Sequence, residues 1–243
     1  MLRNYLPQFI KKRLWGNRKS YQNTFDSSDL DWMEWKKFSE KFYLTTQRSG
    51  IGSIVNSWGY KVVSKTSLDN KSVLELGGAL LPHRKHWNGK PAEYHIIDLD
   101  EKYLQYSENI LLEENIKINK HLLNGNKIPE IENDSIDVIF TFYSLEHLVN
   151  LEVDLKFYFS KLKKGGYLIG AIPNEGGLAW GIGRFLTSRR FVHNNSNINY
   201  DKIICWEHPN YCDEILTTIE KVGFNLDTIN TYPFGTFCPK DLN

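Results

Sequence analysis

Two histidines and the acid beside one of them are the residues best suited to proton transfer. His147 follows Glu146 in YSLEHL, residues 143–148, at the carboxyl end of an apolar run, and His208 stands in WEHPN, residues 206–210. Imidazole titrates near neutrality, so either histidine, placed beside a reacting hydroxyl, is a candidate general base. Each has a structural alternative: His147 as a cap on the following helix, His208 as a cap ahead of Pro209. A second set is spaced for ligand binding. Glu75, Gly77 and Gly78 close one apolar run, and Asp98 lies 21 residues beyond Gly77 at the tip of the next. A glycine turn presents bare backbone N–H groups, and a carboxylate at that offset suits ribose hydroxyls of a nucleotide-like ligand. The competing reading of Asp98 is an exposed loop aspartate. A third set, Glu175, Arg184, Arg189 and Arg190, offers guanidinium forks to a phosphorylated or acidic group, with a solvated loop as the alternative.

The elements that must position these residues alternate between strand and helix. In Ser72–His83, SVLELGGALLPH, the run Val73, Leu74, Leu76 predicts a buried parallel strand, and Pro82 opens a helix of about seven residues that Asn88, Gly89 and Pro91 end. EYHIIDLD, residues 93–100, is a second strand. Residues 101–114 form an amphipathic helix through Tyr103, Leu104, Ile110 and Leu111, and 116–124 a third strand ending in Asn124-Gly125. A fourth strand covers Asp137–Phe142, a helix about 151–162, and a fifth strand follows the Gly165-Gly166 turn. Residues 174–206 break the alternation. A strand end, a turn and an amphipathic helix stopped by Gly223 come next, then a sixth strand over Asn225–Tyr232. This order predicts an α/β fold, a doubly wound, mostly parallel sheet with ligands at the carboxyl ends of its strands. Residues 1–69 read as an amino-terminal helical extension or lid, and 70–243 as a core carrying an insertion at 174–206.

The 243 residues are 41% hydrophobic and 24% charged, the composition of a soluble globular protein. No run approaches the roughly 18 apolar residues of a spanning helix. Cys205, Cys212 and Cys238 lack C-x-x-C spacing, which points to buried thiols in a reducing cytoplasm rather than a disulfide framework or a zinc site. The net charge of +1 hides an asymmetry: residues 1–25 carry Arg3, Lys11, Lys12, Arg13, Arg18 and Lys19 and no acid, and the remainder holds 24 bases against 29 acids. That balance excludes a general nucleic-acid binder. Within residues 2–14, Leu2, Tyr5, Leu6, Phe9, Ile10 and Leu14 recur at helical spacings, limited by Pro7. This basic amphipathic segment either touches an anionic membrane surface or packs on its own domain or a homo-oligomeric neighbour. The aromatics Trp32, Trp35, Phe38, Phe42 and Tyr43 of the next helix read as core, or as the roof of a pocket.

Taken together, the strand and glycine turn, the strand ending in Asp98, the strand ending in Asn124-Gly125, and D-V-I-F-T-F-Y-S-L-E-H-L followed by K-K-G-G-Y-L-I resemble the class I S-adenosylmethionine-dependent methyltransferases over roughly residues 70–232. The phrase IPNEGGLAWGIGRFLTSRRF with WEHPN resembles a bacterial branch found with surface-glycan biosynthesis. The resemblance implies a Rossmann-like methyltransferase fold with S-adenosyl-L-methionine as cofactor. It places Glu75, Gly77, Gly78 and Ala79 at the methionine part, Asp98 at the ribose, and Leu99, Asn124 and Gly125 at the adenine. Tyr143 is placed near the sulfonium; His147, His208 and Glu146 are the candidates for the methyl-acceptor side by their own position and chemistry. Two departures stand out: Ala79 and Leu81 occupy the places of the second and third glycines, and the short end leaves a seventh strand short, displaced or absent.

The expected activity is methyl transfer to a small molecule or glycan precursor, with a sugar hydroxyl as acceptor. Two other classes compete. A nucleotide-dependent oxidoreductase would use the same turn and acid but lacks G-x-G-x-x-G. A non-catalytic binding protein of methyltransferase fold would tolerate Ala79, Leu81 and the short end.

Overall fold

The computed structural model describes residues 2–21, 24–46, 57–78, 80–123, 129–231 and 235–237. The chain divides into two compact units, each described separately. One comprises Met1–Ile54, Glu146–Val149 and Pro173–Thr217; the other comprises Val55–Leu145, Asn150–Ile172 and Thr218–Asn243.

The second unit is built on five parallel strands: β1 (Ser72–Leu76), β2 (Glu93–Asp98), β3 (Lys117–Leu122), β4 (Ile136–Phe142) and β5 (Leu162–Ala171), in spatial order β3-β2-β1-β4-β5. Successive side chains of a strand point to opposite faces, and the sequence supplies apolar residues for both. Val73, Ile96, Val138 and Phe140 pack on one face with Leu104 and Leu111 of the helix Glu101–Glu113. Leu74, Leu76, Ile97 and Ile139 pack on the other with Tyr158 of the helix Leu151–Lys161. Helices on both faces make this the expected doubly wound sheet. Strand order reverses between β1 and β4, the position where such sheets open a crevice at their carboxyl ends.

Three details differ from the sequence reading. The helix expected from Pro82 is only a 3-10 turn, Arg84–His86, because His83, Trp87 and Leu81 are drawn inward rather than arrayed along a helix face. The strand end expected before His208 is the end of a helix, Tyr200–Glu207. The sixth strand is confined to β6 (Ile229–Thr231); it pairs antiparallel with β7 (Gly235–Phe237), and among the described residues this two-stranded ladder is separate from the five-stranded sheet.

In the first unit, Pro7 does separate a 3-10 turn, Leu2–Tyr5, from helix α1 (Gln8–Trp15). Helices α2 (Arg18–Tyr21) and α3 (Leu30–Thr46) follow. Counting the two helices of the sheet unit as α4 (Glu101–Glu113) and α5 (Leu151–Lys161), residues after β5 supply α6 (Leu178–Leu186), α7 (Ser188–Asn195) and α8 (Tyr200–Glu207). Trp35 is buried with Val192, Ile203, Ile204 and Trp206, and Trp32 and Phe38 pack against them. Trp32, Trp35 and Phe38 of α3 are therefore core, while the side chains of Phe42 and Tyr43 lie outside those described. Trp35 donates its indole N–H to Glu207 Oε1 at 2.5 Å, and Trp206 donates to the Tyr21 carbonyl at 2.8 Å, whereas the buried Trp32 indole N–H has no partner among the described residues.

Candidate functional site

In the sheet unit, β1 is followed by Gly77 and β4 by Tyr143-Ser144, on either side of the strand-order reversal. Gly77 takes φ +69°, and a Cβ added there would lie 3.5 Å from Ser144 Cβ. The turn is thus held close to the end of β4. Gly77 donates its N–H to the Ile97 carbonyl at 2.8 Å, which leaves Gly78 N–H without an acceptor among the described residues. Ser144 Oγ is buried and has no hydrogen-bond partner there either, an arrangement that costs stability unless a ligand meets it. Asp98 closes β2 and accepts the Asp100 N–H at 3.0 Å, while Leu99 beside it is 78% exposed. Leu81, at the third-glycine place, keeps a glycine-like backbone at φ +47° and sends its side chain into the core. It therefore does not fill the turn. Ala79, Asn124 and Gly125 lie outside the described residues.

Glu75 has a different task from the one expected of it. It is fully buried, and its Oε1 lies 2.7 Å from His83 Nε2 while its Oε2 accepts the Tyr94 hydroxyl. The Trp87 indole N–H, a donor only, reaches His83 Nδ1 at 2.9 Å. His83 must then carry its proton on Nε2 and donate to Glu75. A Cβ on Gly78 would fall 2.5 Å from Glu75 Cδ, so the turn runs directly over this carboxylate. Glu75 braces the turn from within, with both oxygens already satisfied, instead of facing a bound ligand. Sequence reasoning missed His83, Trp87 and Tyr94; the available signal was a His and an i+4 Trp in the segment read as a helix from Pro82. Around His83, Phe142 stacks at 4.8 Å and Tyr60 lies 6.3 Å away, and Tyr60 packs edge-on to Tyr143 at 5.7 Å. Tyr143 itself has φ +56° and donates its N–H to the Ala171 carbonyl at 2.8 Å.

In the helical unit, Glu146, His147, Glu175 and His208 come together. Glu175 is fully buried between Arg18, whose guanidinium reaches Oε1 at 2.5 Å, and His208, whose Nδ1 lies 2.5 Å from Oε2. Arg18 also donates to the His208 carbonyl and lies 3.8 Å over the Tyr211 ring. Burial by itself would lower the His208 pKa, but the charge and hydrogen bond of Glu175 overcome it and push the value up to about 9. His208 is therefore an imidazolium at neutral pH. His147 meets it edge to face at 4.5 Å and has Nδ1 2.7 Å from the Glu207 carbonyl. A carbonyl only accepts, so Nδ1 carries the proton and Nε2 has a free lone pair. Burial of its ring and the His208 charge lower the His147 pKa; 43% of the side chain meets solvent, and water offsets part of that lowering. His147 is thus neutral at pH 7. Glu146 is buried, its Oε2 has no partner among the described residues, and burial raises its pKa to about 7 against the favourable charge of His208. Of the two histidines only His147 can accept a proton at neutral pH.

The arginines divide. Arg184 is buried, donating to the Leu14 carbonyl at 2.8 Å and to Asp201 at 3.1 Å, and Arg189 pairs with Asp201 at 3.0 Å. Both hold helices together. Arg190 is exposed and has no partner among the described residues. A cavity of about 500 Å³ at the amino-terminal ends of β1, β4 and β5, lined by Lys65, Lys71, Lys163 and Lys164, contains none of the expected site residues.

No family model and no curated protein matches the chain. Solved structures do resemble it. A possible histamine N-methyltransferase from Thermotoga maritima, described as S-adenosylmethionine-dependent, aligns at 17% identity with a TM-score of 0.50, covering 84% of this chain and 87% of its own. Phosphoethanolamine N-methyltransferase 2 of Haemonchus contortus, in complex with S-adenosyl-L-methionine, aligns at 14% identity with a TM-score of 0.52, covering 85% of this chain and 45% of its own. The [4+2]-cyclase SpnF aligns at 12% identity with a TM-score of 0.50; the chain spans 61% of that protein's length and 76% of it is covered. At these identities the likeness establishes the fold: the chain has the Rossmann-like architecture of S-adenosylmethionine-dependent methyltransferases.

Proposed function

We propose that the protein is an S-adenosylmethionine-dependent methyltransferase acting on an oxygen nucleophile, a hydroxyl of a small molecule or glycan precursor such as a sugar. The observation that carries the reading is the strand-order reversal, where a glycine turn lies against Ser144, whose buried hydroxyl has no partner among the described residues. The residues there fit the cofactor: Gly78 N–H and Ser144 Oγ for the amino-acid part, Asp98 for ribose hydroxyls, and the exposed Leu99 for adenine. When bound, the cofactor supplies an electrophilic methyl group on a sulfonium.

The chain's own residues supply the rest. A sugar hydroxyl is a poor nucleophile at pH 7 and gains from a base that removes its proton as it reacts. His147 takes that part through Nε2, because the Glu207 carbonyl fixes its other proton on Nδ1. His208, held as a cation by Glu175, packs on His147 and keeps its ring oriented. Glu146, with a pKa near 7, is placed with Oε1 4.0 Å from His147 Nε2 to share the proton afterwards. Arg190 remains available for an acidic group on the acceptor.

The similarity to a [4+2]-cyclase keeps a second reading in view, a methyltransferase-fold protein that transfers no methyl group. Titration calorimetry with S-adenosylmethionine, S-adenosylhomocysteine and NAD separates the possibilities. Binding of either of the first two supports the proposal, binding of neither at millimolar concentration overturns it, and NAD binding selects the oxidoreductase. Cofactor binding with no transfer to any hydroxyl acceptor selects the non-methylating reading.

A further inference from the structure

α6 has inverted polarity for a surface helix. Its one charged residue, Arg184, points inward and is fixed by the Leu14 carbonyl and Asp201. Its outward face is apolar throughout: Leu178, Ile182 and Leu186, at i, i+4 and i+8, are 38%, 44% and 59% exposed, and the residues between them on that face are Ala179 and Gly183. A water-facing helix ordinarily carries its charges on the outer side. Here the arrangement is reversed, and solvent meets a stripe of large aliphatic side chains.

The neighbouring α1 extends that face and adds charge. Trp15 and Leu14 of α1 approach α6 so closely at Gly181 that a Cβ there would lie 2.8 Å from Trp15 Nε1. On the side of α1 away from Trp15, Phe9 is 74% exposed and shares its i, i+4 row with exposed Arg13. The Arg13 guanidinium lies 5.9 Å from the Phe185 ring of α6, so the outer faces of the two helices adjoin. Tyr5, in the turn before α1, is 86% exposed. Lys12 is exposed beside Arg13, and residues 1–25 contain six basic residues and no acid.

We propose that this face docks on an anionic lipid bilayer, with Phe9, Ile182 and Leu186 entering the interface and Lys12 and Arg13 contacting the headgroups. Apolar side chains flanked by the α1 cations Lys12 and Arg13, with no acid in residues 1–25, complement a negatively charged surface of this kind. α6 has nine residues, about 13 Å of helix, so it lies on the membrane and does not span it; among the described residues no helix is long and apolar enough to cross. Such docking would bring the enzyme to acceptors carried on lipids, but the inference stands on α1 and α6 alone and does not depend on the reaction proposed above.

The test is co-sedimentation of the full chain with vesicles of phosphatidylcholine alone or mixed with phosphatidylglycerol, at low and high salt. Binding is expected to the mixed vesicles and to be released by salt. Ile182→Ser with Leu186→Ser, and independently Phe9→Ser, should each cut the bound fraction with unchanged circular dichroism. Lys12→Gln and Arg13→Gln should each weaken binding about fivefold. Because Phe9 and Ile182 lie on different helices, one variant remains informative if the other misfolds. Absence of binding to the mixed vesicles overturns the proposal. So does a light-scattering mass of a dimer that Ile182→Ser with Leu186→Ser converts to monomer without vesicle binding, which would assign the face to a second copy of this chain.

Discussion

His208 Nδ1 lies 2.5 Å from Glu175 Oε2, and Arg18 holds the other oxygen of the same carboxylate. A buried anion is thereby shared between two cations, one of them titratable. Removing either cation leaves the other interaction to carry a desolvated charge.

The pH dependence of stability follows with a definite sign. The His208 pKa rises on folding to about 9, above the roughly 6.5 of an unfolded histidine. Its stabilisation is fully present below about pH 6.5 and is lost as the pH climbs towards 9. Glu146, raised to about 7, acts in the same direction and is at its most stable below pH 4.5. Thermal melts across pH 6.5–9 should show Tm falling by roughly 5 °C, and His208→Gln should flatten that slope. A Tm that rises over this range would contradict the ion pair.

His147 and His208 should separate kinetically. Of this pair, His147 is the neutral imidazole, so His147→Gln should drop methyl transfer by about 10²–10⁴ while calorimetric affinity for S-adenosylmethionine is unchanged. His208→Gln should lower kcat less and shift the pH–rate profile, because it alters the charge beside the base. Equal losses for both, or a loss of cofactor affinity in His147→Gln, would rule out the assignment.

Ser144→Ala should move stability and binding in opposite directions. The buried hydroxyl has no partner among the described residues, so its removal relieves a desolvation cost of about 1 kcal/mol and Tm should hold or rise. Cofactor affinity should fall about tenfold, the cost of one hydrogen bond. A fall in Tm with unchanged affinity would place the hydroxyl in the fold and not in the crevice.

The brace beneath the turn should behave as structure. Tyr94→Phe withdraws one donor from the buried Glu75 and should cost about 1–3 kcal/mol by denaturant titration. Gly78→Ala drives a methyl group into the same carboxylate and should cost a similar amount. If Glu75→Gln, which keeps the shape, restores part of the stability lost in Tyr94→Phe, the loss lies in the stranded charge.

What the sequence determined was everything with a short range. Runs such as Val73–Leu76 and Glu93–Asp98, with glycine and aspartate at their ends, require strands that finish at one edge of a sheet, and the alternation with amphipathic helices requires that sheet to be parallel and doubly wound. The third-glycine place held by Leu81 illustrates the limit of such reading. The backbone conformation was retained at φ +47° while the side chain found room in the core, a choice set by neighbours distant in sequence. The short-range signal likewise named His147, His208, Glu146 and Glu175 but left their protonation open. Tertiary structure decided that by putting Glu175 against His208 and the Glu207 carbonyl against His147, so that two like side chains carry different charges. It also turned Glu75 inward onto His83 and Tyr94 and set Arg184 into a helix contact. Burial and hydrogen-bond partners fix the state of a polar group, and both come from residues far along the chain.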